Sequence, residues 1–340
     1  MKPSKLLVIS IAAALPLAGC GGADDGPSAG AETTTLTVYA GRNEKLIGPI
    51  LGRFTQKTGI AVDVRYGSTS ELVATLLEEG AYTPADVFIS QDAAALGALS
   101  RSGQLRELAD ATLERVPQRF RSPNGDWVGL SGRARVVVYN TDRITPDQLP
   151  QSLAEVVDVK FRGRWGVAPT NASFQAHMAL VAALGGEEAL AELLSGMVAN
   201  EPNRYPKNTP IVAAVIAGEI DWGLTNHYYL WRALKESPDA PAKNYFMPAG
   251  DASSFINMAG VGALSEHSEA LELIDFLLSD EAQTYFAEET FEYPLVPGVP
   301  VSVDLPALDQ MATPDADYRA VSEALESALE QIIESGLIDH

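Results

Sequence analysis

Cysteine is almost absent from this chain, with Cys20 alone among 340 residues. A single cysteine can form neither an internal disulfide nor a thiolate metal cage, which excludes a zinc ribbon and a redox CxxC pair. Basic residues are also scarce, since 24 Lys and Arg stand against 45 Asp and Glu, for a formal charge of -21. Nucleic-acid binding needs clustered Lys and Arg against the phosphates, so the sequence argues against a nucleic-acid partner.

Motifs of nucleotide hydrolysis and of the common hydrolases are also missing. The sequence has no G-x-x-x-x-G-K-[ST] phosphate loop, no H-E-x-x-H and no G-x-S-x-G. An energy-using or hydrolytic activity therefore has no candidate residues. Hydrophobic residues make up 46% of the chain, which excludes a disordered protein, and the length favours about two domains.

An apolar run near the N-terminus is typical of a targeting segment. Two lysines precede the stretch Leu6–Leu17, which is too short to span a bilayer. Leu17-Ala18-Gly19-Cys20 resembles the lipobox of bacterial lipoproteins, in which the signal is removed and the cysteine receives a lipid. This resemblance implies a signal peptide over residues 1–19 and lipid anchoring to the cell membrane outside the cytoplasm. An ordinary secretory signal with an incidental cysteine is the alternative.

Composition changes sharply after the lipobox. Residues 20–35 are rich in Gly, Ala, Ser, Thr and Asp, which predicts a flexible, acylated tether. Strands and helices then alternate, beginning with a strand over Leu36–Ala40 and a helix over Glu44–Thr58 that Gly59 ends. This alternation predicts an α/β fold with an at least partly parallel sheet. Later patterns predict two strands, Trp127–Leu130 and Ala134–Asn140, and two helices, Phe174–Leu184 and Glu187–Met197.

Two adjacent tyrosines, Tyr228 and Tyr229, are the most suggestive residues of the chain. They follow Asn226 and His227 directly after the apolar strand Trp222–Thr225, where α/β folds expose ligand-binding loops. Adjacent side chains diverge by about 100° on a regular helix, but at a strand-to-helix bend both phenols can converge on one point. The alternative is that both tyrosines are half-buried packing residues.

Seven segments follow one another after the tether: Leu36–Gly41, Pro84–Ser90, Leu130–Tyr139, Ala168–Phe174, Tyr205–Asn208, Asn226–Tyr229 and Glu292–Leu295. Their order resembles that of bacterial ferric-iron-binding periplasmic proteins, the substrate-binding components of iron(III) ABC importers. The resemblance implies a type II periplasmic-binding-protein fold, with two mixed sheets, flanking helices and crossing hinge strands. It implies one lobe over residues 36–132 and 259–308 and a second over residues 133–258 and 309–340.

In that family, the tyrosines matching Tyr228 and Tyr229 bind iron as phenolates. A hard, highly charged cation prefers oxygen donors, and it can remove the proton of a phenol whose free pKa is about 10. The positions of further family ligands carry other residues here: Asn43 in place of His, Gln91 followed by Asp92 in place of Glu, and Phe174 in place of a third Tyr.

Two carboxylates near those positions could complete the metal coordination. Glu44 follows Asn43 and Asp92 follows Gln91, but each could equally be a first-turn helix residue that the helix dipole favours. Water or a bound anion could also fill the remaining positions. His227 is expected to support the tyrosines rather than to bind the metal.

The family also binds carbonate or phosphate beside the iron, with a loop at a helix N-terminus. The matching positions are Asn171, Ala172, Ser173, Asn208, Asn226 and Arg133. Free amides at the start of the following helix attract negative charge. Asn171 and Ser173 could instead be ordinary helix caps, and Arg133 and Arg135 could be salt-bridge residues of the hinge.

The resemblance therefore implies a monomeric binding protein that captures Fe(III) with a synergistic carbonate or phosphate. It implies delivery of the iron to an ABC permease and its ATPase. One alternative is a protein of the same fold that binds an anion, a polyamine or a sugar phosphate. An alternative of another class is an enzyme that uses Tyr228 and His227 as acid and base.

Overall fold

The computed structural model describes residues 35–338, except residues 302, 309, 312–313 and 315–317. The predicted signal peptide, the predicted lipid site at Cys20 and the tether up to residue 34 lie outside this part. Among the helices that are described, none combines the length and the hydrophobicity that a membrane span needs.

The described residues form ten strands and ten α-helices. The strands are β1 (Thr35–Ala40), β2 (Ala61–Tyr66), β3 (Val87–Ser90), β4 (Val128–Asn140), β5 (Trp165–Val167), β6 (Asn203–Arg204), β7 (Trp222–Asn226), β8 (Ala242–Tyr245), β9 (Ile256–Ala263) and β10 (Tyr293–Pro294). The helices are α1 (Glu44–Thr58), α2 (Thr69–Glu79), α3 (Ala93–Arg101), α4 (Asp110–Leu113), α5 (Ala172–Ala199), α6 (Asn208–Ile216), α7 (Tyr228–Glu236), α8 (Ser268–Leu277), α9 (Asp280–Glu288) and α10 (Tyr318–Glu334). The predicted α/β class is confirmed.

The first helix illustrates how local sequence sets an element. The side chain of Asn43 accepts a hydrogen bond from the backbone N–H of Lys45, which caps the start of α1. At the other end, Gly59 adopts the left-handed conformation with φ 78°, and its N–H donates to the carbonyl of Thr55. The helix therefore begins and ends where the sequence predicts.

One mixed sheet runs through the molecule in the order β2-β1-β3-β9-β4-β7-β5-β6, and β8 and β10 pair with β4. β1 is parallel to β2 and β3, whereas β9 is antiparallel to β3 and β4. The long strand β4 changes partners midway, because Ala134 pairs with Ile256 of β9 and Arg135 with Asn226 of β7. We call the part up to Ala134, with β1, β2, β3, β9 and β10, the first sheet half, and the part from Arg135, with β5 to β8, the second sheet half.

Each sheet half has its own hydrophobic core. The first core includes Phe54, Phe88 and Phe286, all fully buried. The second core is built around Trp165 and Trp222, whose rings stack with centroids 5.0 Å apart. Helix α10 packs against α5 and also against α3, so it contacts both halves of the fold.

The middle of the chain departs from the sequence prediction at one element. The predicted strands Trp127–Leu130 and Ala134–Asn140 are a single strand, β4, which continues through Ser131, Gly132 and Arg133 with a bulge after Gly129. The polar residues between the predicted strands, Ser131 and Arg133, are buried and paired with β9. The two predicted helices of the same region are the two arms of α5, which bends at Gly186, where φ is 83°.

Candidate metal and anion site

The two tyrosines lie together where β7 passes into α7. Helix α7 begins at Tyr228, and His227 before it already has helical angles, φ -55° and ψ -40°. The rings of Tyr228 and Tyr229 stack with centroids 4.2 Å apart and planes 27° apart. Tyr228 is buried and Tyr229 half-buried. The bend therefore brings both phenols together, as a shared ligand site requires.

The buried phenol of Tyr228 is held in its neutral form. Burial and the neighbouring Tyr229 raise the pKa of Tyr228 well above its usual value, while Arg133 acts in the opposite direction. A phenol in this environment ionises only when a strong positive charge lies next to it. A hard metal cation would supply such a charge, because its coordination displaces the proton of a phenol.

Two buried arginines of β4 face the tyrosine pair. Arg133 and Arg135 are 0% and 1% exposed, and both interact electrostatically with Tyr228. Burial lowers the pKa of Arg135 to about 10, so this side chain is charged at neutral pH. Burying a cation is costly unless an anion or several hydrogen bonds compensate it.

Within the described residues, two of the three nitrogen atoms of each guanidinium group have no hydrogen-bond partner. Arg133 donates through Nη2 to the carbonyl of Gln91 and, at 3.4 Å, to Oδ1 of Asn257. Arg135 donates through Nη1 to Oδ1 of Asn226 at 3.1 Å. Within the described part of the chain, Nε and Nη1 of Arg133 and Nε and Nη2 of Arg135 have no hydrogen-bond partner.

Four of the predicted anion-binding residues form one hydrogen-bonded cluster. Oδ1 of Asn171 accepts from the backbone N–H of Ser173 at 3.0 Å and from Nδ2 of Asn208 at 3.3 Å. Nδ2 of Asn226 donates to Oγ of Ser173 at 3.0 Å. The same Asn226 accepts from Arg135, which links the cluster to a buried positive charge.

The other two predicted anion residues have different surroundings. Ala172 is exposed as the first residue of α5, directly after the capping Asn171. Arg133 belongs to the first sheet half through its contacts with Gln91 and Asn257. Sequence reasoning missed Arg135 as the cation beside the cluster, although its alternation with Arg133 along one strand places both side chains on the same face.

The further metal candidates fall into two groups. Asn43 and Glu44 are exposed at the start of α1, where Asn43 is the helix cap. Asp92 caps α3, and it interacts electrostatically with Arg133, which also contacts Gln91. Burial raises the pKa of Asp92. Their roles as metal ligands stay predictions, and Asp92 is the better placed because it lies beside the arginines.

His227 is fully engaged in holding the backbone. Its Nδ1 accepts from the N–H of Ala134 at 3.0 Å, so Nε2 carries the proton and donates to the carbonyl of Phe291 at 2.7 Å. Burial lowers the pKa of His227 to about 4. The neutral ring has no free nitrogen for a metal ion or for proton transfer with Tyr228, which agrees with a supporting role.

A buried ion pair next to the site was not predicted. Arg42 binds both carboxylate oxygens of Glu292, at 2.8 and 2.9 Å, and the hydroxyl of Ser131 donates to Glu292 at 2.6 Å. Burial opposes ionisation, but Arg42, Arg133 and Ser131 hold the pKa of Glu292 below its usual value. Glu292 is therefore already neutralised by Arg42. Glu292–Leu295 is one of the seven segments that carry the family resemblance. The residues around Glu292 in the sequence do not show that its partner is Arg42.

The described part of the chain offers no group of acidic, histidine or cysteine side chains that could hold a metal ion by itself. In residues 35–338 as far as they are described, no three His, Cys, Asp or Glu side chains come close enough together to hold a metal ion. The site thus combines two phenols with buried cations and amides. Such an arrangement suits a ligand that brings negative charge with it.

Residues 83–321 match the model of a family described as bacterial extracellular solute-binding protein. The chain is 30% identical to the Fe(3+)-binding periplasmic protein of Serratia marcescens, over 92% of this chain and 94% of that protein.

Two solved structures have a fold similar to that of this chain. Iron-bound HitA from Pseudomonas aeruginosa matches with a TM-score of 0.84 and 32% identity, over 89% of this chain and 99% of that chain. The Trichodesmium protein IdiA (FutA), in complex with iron and citrate, matches with a TM-score of 0.78 and 27% identity, over 89% of this chain and 99% of that chain.

Proposed function

Because the chain belongs to the family of bacterial extracellular solute-binding proteins, we propose that its solute is ferric iron. Its fold is the type II periplasmic-binding-protein fold, and its family binds solutes rather than catalysing reactions. We infer that the protein captures Fe(III) outside the cytoplasm as a monomer and delivers it to an ABC permease with its ATPase. The names of its relatives support iron as the solute.

The stacked tyrosine pair is the observation that carries this proposal. Two phenol oxygens at one point are hard donors, which Fe(III) prefers. Arg133 and Arg135 lie near enough to Tyr228 to stabilise its phenolate. Iron binding would then convert two neutral phenols into two coordinated anions beside two cations.

An anion beside the iron is part of the same proposal. Carbonate and phosphate are the candidates that the sequence suggests, and the loop Asn171-Ala172-Ser173 with Asn208 and Asn226 would bind either. The hydrogen-bonded cluster and the free amides at the start of α5 support this assignment. Arg135 adds the positive charge through its contact with Asn226.

Closure of two lobes around the iron would complete the site. We propose one lobe over residues 36–132 and 259–308 and a second over residues 133–258 and 309–340. The change of partners along β4 at Ala134 and Arg135 supports a hinge at this boundary. A ligand that contacts both lobes favours the closed form by its extra contacts there.

Membrane attachment follows from the N-terminal motif. We propose that the signal over residues 1–19 is removed and that Cys20 is acylated, so that the tether holds the protein on the outer face of the cell membrane. Mass spectrometry of the mature protein would test this, because acylation adds the mass of the lipid to the peptide that contains Cys20.

The test of iron binding uses the double variant Tyr228→Phe with Tyr229→Phe. The iron-free protein is titrated with ferric iron and bicarbonate while the visible spectrum is recorded. Wild type should develop a red-brown charge-transfer band that saturates at one iron per protein, and the double variant should develop none. Tyr139→Phe is the matched control, since Tyr139 is buried on β4 about 13 Å along the strand from Arg135.

Two results would reject ferric iron as the solute. One is a wild-type protein without a band and without a shift in melting temperature. The other is a double variant that binds iron as tightly as wild type. An anion alone is the second candidate, because two buried arginines would favour it without any metal. In that case phosphate would stabilise the metal-free double variant as much as wild type.

A further inference from the structure

Phe291 has a backbone conformation that its side chain disfavours. Its φ is 58°, in the left-handed region, and in the described part of the chain Glu201 is the only other non-glycine residue with a positive φ. A bulky side chain rarely adopts this region, and residues that their surroundings hold there cluster at functional sites. The groups that Phe291 contacts therefore indicate its role.

The residues on both sides of Phe291 are held in place. Thr290 donates through its hydroxyl to the carbonyl of Phe286 at 2.7 Å. The backbone N–H of Glu292 donates to the same carbonyl at 3.0 Å. The carboxylate of Glu292 binds Arg42 with both oxygens, at 2.8 and 2.9 Å. These anchored neighbours keep Phe291 in the left-handed region despite the strain.

The carbonyl of Phe291 accepts the one hydrogen bond that the neutral ring of His227 can donate. Nε2 of His227 donates to it at 2.7 Å, while Nδ1 accepts from the N–H of Ala134 at 3.0 Å. The backbone N–H of His227 also donates to the carbonyl of Ala134 at 3.0 Å. Because His227 is fully buried, a displaced Phe291 carbonyl would leave the ring N–H unpaired, which is costly.

His227 connects this carbonyl to the tyrosine pair. It directly precedes Tyr228, the first residue of α7, and the two rings meet edge to face with centroids 6.1 Å apart. The same histidine ring contacts Tyr293, with centroids 5.1 Å apart. The hydrogen bond from His227 to Phe291 also crosses the boundary between the two proposed lobes.

We propose that Phe291 is a positioning residue of the iron site. Its left-handed backbone presents the carbonyl that orients His227 and, through His227, the start of α7 with its two tyrosines. This inference rests on the proposed function, because Tyr228 and Tyr229 bind the iron. The role belongs to the backbone, since the Phe291 ring contacts the exposed Lys235 instead, with Nζ 5.8 Å from the ring centroid.

The experiment compares two substitutions of Phe291 that both remove the ring. Phe291→Asn tolerates the left-handed region, whereas the β-branched side chain of Phe291→Val resists it. The metal-free protein is titrated with ferric iron in bicarbonate while the visible band is recorded, and the affinity is measured by competition with a chelator. We expect Phe291→Asn to keep the affinity and the band of wild type. Phe291→Val should bind iron roughly tenfold more weakly or worse, with a shifted band maximum, because the ring N–H of His227 loses its partner.

Nuclear magnetic resonance of the metal-free protein gives a second readout that does not depend on iron. With isotope-labelled histidine, wild type and Phe291→Asn should show a slowly exchanging Nε2–H signal of His227, and Phe291→Val should lose it.

Glu201→Val is the matched control, because it places the same side chain at the other left-handed position, where Glu201 pairs with the exposed Arg162. This control should melt earlier than wild type but keep its iron affinity, its band and its His227 signal.

Each contrary result has a distinct meaning. Wild-type affinity and band in Phe291→Val, or equal weakening by both substitutions, would reject the positioning role and leave iron binding intact. Weaker binding by Phe291→Val with an unchanged His227 signal would assign the loss to packing and contradict the inference. A wild-type protein without a band would instead reject the proposed function, and this inference with it.

Discussion

Several buried charged residues lie at the site. Arg133, Arg135 and Glu292 are all nearly inaccessible to solvent. Arg42 neutralises the charge of Glu292, but it does not neutralise Arg133 or Arg135. A fold selected for stability alone would replace such cations by apolar residues, because an uncompensated buried charge is costly. Their presence next to two phenols is the arrangement expected of an anion-dependent metal site.

The buried His177 should make the stability of the protein depend on pH, and a single substitution can isolate this contribution. Its Nε2 hydrogen-bonds to the carbonyl of Ala252 at 2.5 Å, and burial, followed by nearby Arg135, lowers its pKa from 6.5 to about 3. The unfolded chain therefore binds a proton below about pH 6.5 that the folded protein does not. Stability should fall by about 2 kcal/mol from this residue between about pH 6.5 and 4.5.

Urea unfolding of His177→Gln over this pH range measures the effect. In the variant, the free energy of unfolding should fall less as the pH decreases. Glutamine can donate the same hydrogen bond but does not titrate. His267→Gln is the comparison, because the His267 side chain is 66% exposed and contacts Asp86 at 2.8 Å, whereas His177 is fully buried. If the free energy of unfolding of His177→Gln depended on pH as in wild type, His177 would not be neutral in the folded protein.

Helices and strands differ in how completely their own sequence specifies them. Helix α1 begins and ends at its predicted limits because its capping residues, Asn43 and Gly59, lie directly beside the helix. The prediction divided strand β4 in two, because a pattern along the chain cannot show that Ser131 and Arg133 pair with β9.

The bend of α5 at Gly186 can be tested by substitution. Gly186 lies at φ 83° and ψ 169°, which side chains with a Cβ adopt with strain, so Gly186→Ala should destabilise the protein by about 1–2 kcal/mol. Gly52→Ala is the matched change in regular helix, with open space around the added methyl group, and should stabilise by about 0.5–1 kcal/mol.

Chemical denaturation of both glycine variants gives the free energies of unfolding. Opposite signs support a fixed bend at Gly186. Equal stabilisation by both changes would show that α5 can straighten, and the two arms would then not be set by this glycine.

At the scale of the whole molecule, two cores share one sheet that runs through β4. The change of partners at Ala134 and Arg135 lies next to the guanidinium groups and to His227, which hydrogen-bonds to Ala134 and Phe291. A solute bound there contacts the segments that a hinge motion would move. Binding and closure are expected to be a single event for this reason.

Small-angle X-ray scattering tests that coupling. Ferric iron with bicarbonate should decrease the radius of gyration of the wild-type protein, and the double variant Tyr228→Phe with Tyr229→Phe should show no such decrease. Tyr139→Phe should behave as wild type. A radius of gyration that is unchanged at saturating iron, with the visible band present, would contradict closure on binding.

The sequence by itself determined the α/β class, the limits of α1, the family resemblance and the tyrosine pair. These properties depend on residues that are close in the chain or that occur in a fixed order. The tertiary structure alone decided which charges meet: Arg42 with Glu292, 250 positions apart, and Arg135 with Asn226, 91 positions apart. The physical reason is that strand pairing brings such residues together through β4, and a pattern along one segment carries no information about its partner strand.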